Sequence, residues 1–110
     1  MSEIFKIVVF VPLSHSEVVR QALGDAGAGT IGKYSNSSFS IKGVGRFKPL
    51  KGADPAIGKV GKLEEVEEER IEVVCKRELV RKVVDEVRKA HPYEEIAIDI
   101  YPILTEDSFH

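Results

Sequence analysis

Two segments of this chain repeat one design, an apolar run that feeds an amphipathic helix. "KIVVFVP", residues 6–12, leads to "VVRQAL", residues 18–23, and "IEVVC", residues 71–75, leads to "VRKVVDEV", residues 80–87. The doubling restricts the fold more than any other feature. Two strand–helix units in one short chain give an α+β protein with both helices packed on one sheet face. At 110 residues the chain has room for one domain.

The remaining segments fill in the frame. "EIFKIVVFVP" is nearly all apolar, as expected of a central strand. Ser14 with Glu17 three residues on predicts a capping box, followed by Val18, Val19, Ala22, Leu23 and Ala26 at helical spacing. Gly27 and Gly29 end that helix. "SFSIKGVGRFKP" alternates, with Phe39, Ile41 and Phe47 on one parity, which predicts a strand with one face buried. Gly43 and Gly45 on the same parity predict a bulge or a close neighbour. "PLKGADPAIGKVG" reads as a loop.

A third strand, "LEEVEEERIEVVC", is charged in its first half and apolar in its second, so it should project beyond the core before entering it. The charged run "KLEEVEEER" reads as a solvated strand face. The second helix, "RELVRKVVDEVRKA", carries Leu79, Val80, Val83, Val84, Val87 and Ala90 on one stripe. Glu78/Lys82, Arg81/Asp85 and Asp85/Lys89 are spaced for i,i+4 pairing on the other side. Pro92 ends it, and "IAIDIYPIL" closes as a strand with Ile96, Ile98 and Ile100 on one parity. The expected architecture is a ferredoxin-like βαββαβ sandwich over residues 1–104, with strands one and three central and a flexible tail over residues 105–110. One sheet face then lacks cover, which predicts a homo-oligomer.

Sixteen basic and eighteen acidic residues give a net charge of −2, with no basic excess for nucleic acid. "IFKIVVFVP" is too short to span a bilayer and lacks the features of a secretory signal. The lone Cys75 excludes an intrachain disulfide and reads as a buried thiol in a reducing, cytoplasmic setting.

"HPYEE", residues 91–95, sets an imidazole, a phenol and two carboxylates between a helix and a strand. His91 can bond free carbonyls at the helix end, or His91, Tyr93 and Glu94 can hold a small ligand. Imidazole and carboxylate suit zinc, nickel or copper, which makes His91 and Glu94 candidate metal ligands completed by another subunit. His15 reads as an exposed first-turn residue and His110 as part of the tail. Neither "GVGRF" nor "GADPAIGKVG" matches a phosphate-binding loop, so Arg46, Lys48, Lys51 and Lys59 read as solvated cations. Ser14 beside His15 does not establish a nucleophile–base pair.

Residues 27–72, from "GAGTIGKYSNSSFSIKG" to "EEERIE", together with "HPYEEIAIDIYPI", resemble the insert domain of the Nif-three-like proteins. That domain is similar to the CutA and PII signal-protein folds, and CutA shares "HPYE". The resemblance covers nearly all of the chain and implies a stand-alone CutA/PII-like domain that assembles as a trimer. It also directs attention to the long loop between the middle strands, where PII-like proteins place ligand contacts. Tyr34 and Ser37 are candidate ligand contacts nearby, and Ser37 stands where many relatives have cysteine. Full-length relatives hold a two-metal site of His, Asp and Glu in flanking lobes, which His15, His91 and His110 do not recreate. The reading is therefore a non-catalytic oligomeric module that binds a small ligand, a divalent metal ion or a partner protein. The alternative is a metal-assisted hydrolase with its site between subunits.

Overall fold

The structure, a computed structural model, describes residues 3–109. Strand β1 (Ile4–Pro12) leads through a 3-10 turn into helix α1 (Ser16–Asp25). Strands β2 (Phe39–Phe47) and β3 (Glu64–Lys76) follow, then helix α2 (Val80–Ala90) and strand β4 (Ile98–Pro102). The four strands pair antiparallel in the order β2-β3-β1-β4, so the two most apolar strands are central. This is the ferredoxin-like α+β fold expected from the sequence.

Strand periodicity divides the sheet into two unlike faces. Ile7, Val9 and Val11 of β1 and Ile71, Val73 and Cys75 of β3 form the core with Val19 and Leu23 of α1 and Val83 and Val87 of α2. Ile96 and Ile98 pack against its margin. The other parity faces away from the helices, and Val8 is its one fully buried strand hydrophobe among the described residues. No helix among the described residues is long and apolar enough to cross a membrane.

β3 outruns β1. The β1–β3 register stops at Pro12 opposite Glu68, while β2 accompanies β3 on to Phe47 opposite Glu64. The resulting ribbon contributes to a longest dimension of 53 Å, against 25 and 23 Å for the other two. At the other end of the sheet, Ile103 N–H donates to the Ile4 carbonyl at 3.1 Å, setting the two flanks of the domain side by side.

Several expectations are corrected. The apolar parity of β2 is not buried in the single chain: Phe39 is 63% and Ile41 52% exposed. Its register puts those side chains on the face opposite the helices, where this chain supplies no second layer. No bulge forms at Gly43 or Gly45, because pairing runs unbroken from Phe39 to Phe47. The close neighbour does exist at Gly45, where an added Cβ would meet Glu68 Oε1 at 2.0 Å.

The capping box at α1 is not made, since the 3-10 turn Leu13–His15 displaces the helix start and the Ser14 hydroxyl turns to His15 Nδ1 at 2.8 Å. Lys89 pairs with Glu86 at i,i+3 rather than with Asp85, both being within reach of one helix face. β4 begins at Ile98 rather than Ile96, because residues 91–97 are drawn into the turn described below. The charged run is not wholly solvated either. Glu68 and Glu69 are buried, and Glu69 is held by Arg20 of α1. Residues 106–108 form a 3-10 turn capped by Thr105, and His110 lies outside the described residues.

Candidate functional site

Pro92 stops α2 because a proline cannot continue the backbone ladder. His91 becomes the C-cap with extended backbone, and its N–H bonds the Val87 carbonyl. The side chain does not return to its own helix end, as the sequence reading allowed. Nε2 instead lies 2.7 Å from the Phe10 carbonyl of β1, while Nδ1 accepts the Tyr93 backbone N–H at 3.2 Å. The second bond leaves the proton on Nε2, so Nε2–H donates to Phe10. Only 6% of His91 is exposed, and burial lowers its pKa against the opposing pull of the Phe10 carbonyl. His91 is thus a neutral bridge from the end of α2 to the central strand.

Tyr93, fixed by that turn, swings over the open sheet face. Its hydroxyl donates to Glu68 Oε2 at 3.0 Å, and its ring meets Phe47 edge-on with centroids 5.8 Å apart. Burial and the Glu68 carboxylate raise its pKa well above the ordinary phenol value, so Tyr93 remains a protonated donor. The Glu94 Oε1 accepts the Asp54 N–H of the β2–β3 loop at 2.8 Å.

Between this turn and the loop lies a cleft of about 520 Å³ on the open face. Phe10, Gly45, Phe47 and Glu68 belong to the sheet side, Pro49, Ala53, Pro55, Ala56 and Ile57 to the loop, and Tyr93, Glu94, Glu95 and Ala97 to the turn, with Arg46 and Lys48 beside them. Most of that lining is apolar, as in small-molecule sites generally.

The structure therefore brings Tyr93 and Glu94 to one cleft and sets His91 behind them as the group that fixes the turn. Tyr34 and Ser37 do not line it. Tyr34 is 77% exposed beside its bridge to Ile31, and Ser37 packs its backbone on Gly29. The metal reading fits poorly. Both His91 nitrogens are engaged, Glu94 is turned to the loop, and no group of three or more potential ligands forms among the described residues. Sequence reasoning missed Glu68. The available signal was the glycine at 45, which leaves the space that this carboxylate occupies.

No protein-family model matches the chain. It is 53% identical over 98 residues to the GTP cyclohydrolase 1 type 2 homolog of Bacillus subtilis, covering 89% of this chain and 26% of that relative. The homolog from Halalkalibacterium halodurans is 52% identical over 103 residues, which is 94% of this chain and 28% of that one. Among solved structures, a Bacillus cereus protein related to NIF3 superposes with a TM-score of 0.81 at 52% identity, over 93% of this chain and 26% of that one. The periplasmic divalent cation tolerance protein CutA from Archaeoglobus fulgidus gives a TM-score of 0.60 at 24% identity, over 91% and 83%. The second likeness concerns fold alone. The chain thus spans about a quarter of the length of the curated relatives it matches, and it is homologous to a segment of the NIF3-related proteins.

Proposed function

We propose that this chain is a non-catalytic CutA/PII-like module that self-associates, as a trimer, and holds a small ligand in the cleft beside Tyr93. The observation that carries self-association is the apolar row of β2, with Phe39 and Ile41 more than half exposed on a face without a helical layer. Such a row beside an unpaired strand edge is a hazard that natural proteins cover. A second copy is the occupant we favour, and a partner protein is the other. A cytoplasmic location is proposed with it, supported by the lone buried thiol of Cys75.

The alternative is a metal-assisted hydrolase; the relatives' name, a cyclohydrolase homolog, supports only its hydrolase half, and the name of the Archaeoglobus CutA, a divalent cation tolerance protein, supports a divalent cation as the ligand. The engaged nitrogens of His91 favour neither, and no reaction step is assigned to the chain.

Sedimentation velocity over a concentration series tests the reading. The wild type should sediment as a trimer, and the double variant Phe39→Lys, Ile41→Lys as a monomer with an unchanged far-ultraviolet spectrum. A wild type that stays monomeric at every concentration refutes self-association, and a variant that assembles like the wild type refutes this surface.

A further inference from the structure

Glu68 is the group in the cleft whose surroundings are incomplete. It is 9% exposed, and Tyr93 bonds one of its oxygens, Oε2. The other, Oε1, accepts no hydrogen bond among the described residues and lies over Gly45, within 2.0 Å of the position a side-chain Cβ would take there. Oε1 is not sealed from solvent, so this mostly buried carboxylate, with one neutral donor, is open to a ligand from the cleft. A group that brings positive charge and further N–H donors would complete it.

The walls narrow the chemistry. The Phe47 and Tyr93 rings line the cleft, and aromatic faces attract cations; the Phe10 ring already carries the Arg70 guanidinium, 5.8 Å from its centroid. Glu94 and Glu95 at the mouth disfavour an anion. Of the two cations beside it, Arg46 lies 3.5 Å from Glu65 and Lys48 is exposed at the rim. A hard metal ion would want several oxygen ligands, whereas these walls are mostly carbon. An amine with an apolar body matches both the carboxylate and the walls.

We propose that the cleft binds a small organic ammonium ion, its nitrogen on Glu68 Oε1 and its apolar part between Phe47, Tyr93 and the loop at residues 53–57. This rests on the ligand-binding half of the function proposed above and is independent of self-association, which sedimentation reads separately. Tyr93, kept protonated by burial and by Glu68, would orient the carboxylate. The loop would close the far wall through the Asp54–Glu94 hydrogen bond.

The test is an amide-resolved NMR titration of the full chain with phenethylammonium chloride, 2-phenylethanol and 3-phenylpropionate. The ammonium compound should give saturable shifts centred on Phe47, Tyr93 and residues 53–57, and the alcohol and the carboxylate should not. Glu68→Gln keeps an acceptor for Tyr93 and the side-chain size, and should weaken binding by about tenfold or more. Ala53→Trp, which fills the cleft from a half-buried position on the loop, should abolish binding and leave the remaining spectrum unchanged. Equal binding of the alcohol, or no saturable shift at millimolar ammonium, would overturn the proposal. So would undiminished binding by either variant with native-like dispersion. If Glu68→Gln fails to fold, Ala53→Trp and the ligand series decide. A crystal structure of the assembled protein with a neighbouring copy's lysine or arginine filling the cleft would also overturn it.

Discussion

Replacing His91 by alanine separates a structural bridge from a helix-end ornament. An imidazole that only met the last carbonyls of α2 would be worth about 1 kcal/mol. The observed side chain is 6% exposed and joins two elements, bonding the Phe10 carbonyl at 2.7 Å and the Tyr93 N–H at 3.2 Å. Two hydrogen bonds at about 0.5–1.5 kcal/mol each, plus a carbonyl left short of a partner, put the cost at roughly 2–4 kcal/mol. That is a large share of the roughly 5–15 kcal/mol that holds a small domain together.

Urea unfolding followed by circular dichroism, at fixed protein concentration because assembly adds to stability, measures the difference. His91→Gln offers an amide N–H to Phe10 and should recover about 1 kcal/mol. The pH dependence carries an independent signature. Burial lowers the folded pKa of His91 below its ordinary value of 6.5, so below that pH the unfolded chain binds the extra proton. The contribution is therefore fully present above 6.5 and is lost as the pH falls through that value towards the lower folded pKa. The glutamine variant should show a flatter acid limb. A cost under about 1 kcal/mol for His91→Ala, with an unchanged acid limb, would refute the bridge.

Gly29→Ala should destabilise the protein by about 2–4 kcal/mol in the same assay, because a left-handed residue with a side chain is strained and has nowhere to put it. Gly29 has φ of +80° and its added Cβ would lie 2.3 Å from the Ser37 carbonyl oxygen, so an unchanged unfolding midpoint would contradict the packing described. Cys75 is 3% exposed with its pKa raised by burial, and it should resist a thiol-reactive disulfide reagent until urea unfolds the chain. Rapid labelling of the native protein would show that β3 opens locally.

The strand order was legible because apolar content alone separates "KIVVFV" and "IEVVC" from their neighbours, and central strands need apolar residues on the core side. The stripe of α2 was legible for the same reason, since Val83 and Val87 repeat at helical spacing and both are buried. The cleft was not legible. Glu68 sits in a run of glutamates that reads as solvated face, and only the fold brings Tyr93 across to it. His91 shows the same limit. Its proline neighbour announces a helix end, but nothing local announces Phe10, eighty-one residues earlier in the chain, as its partner. The alternation in β2 reveals its apolar row but not the exposure of Phe39 and Ile41, because periodicity identifies a face and says nothing of which layer meets it.

The bond between Ile103 and Ile4 bears on how such a unit can be carried. Antiparallel pairing of β1 with β4 sets Phe5 opposite Pro102, so the entrance and exit of the fold are about one inter-strand spacing apart, roughly 5 Å. A polypeptide could leave a surface turn, build this sheet and both helices, and rejoin its course almost where it left. The host would feel little spreading of its backbone, which is the geometric condition for tolerating an inserted domain. The same closeness would let a short linker join the two flanks and new ends be cut in the β2–β3 loop, giving a permuted chain with the same neighbours in a different order.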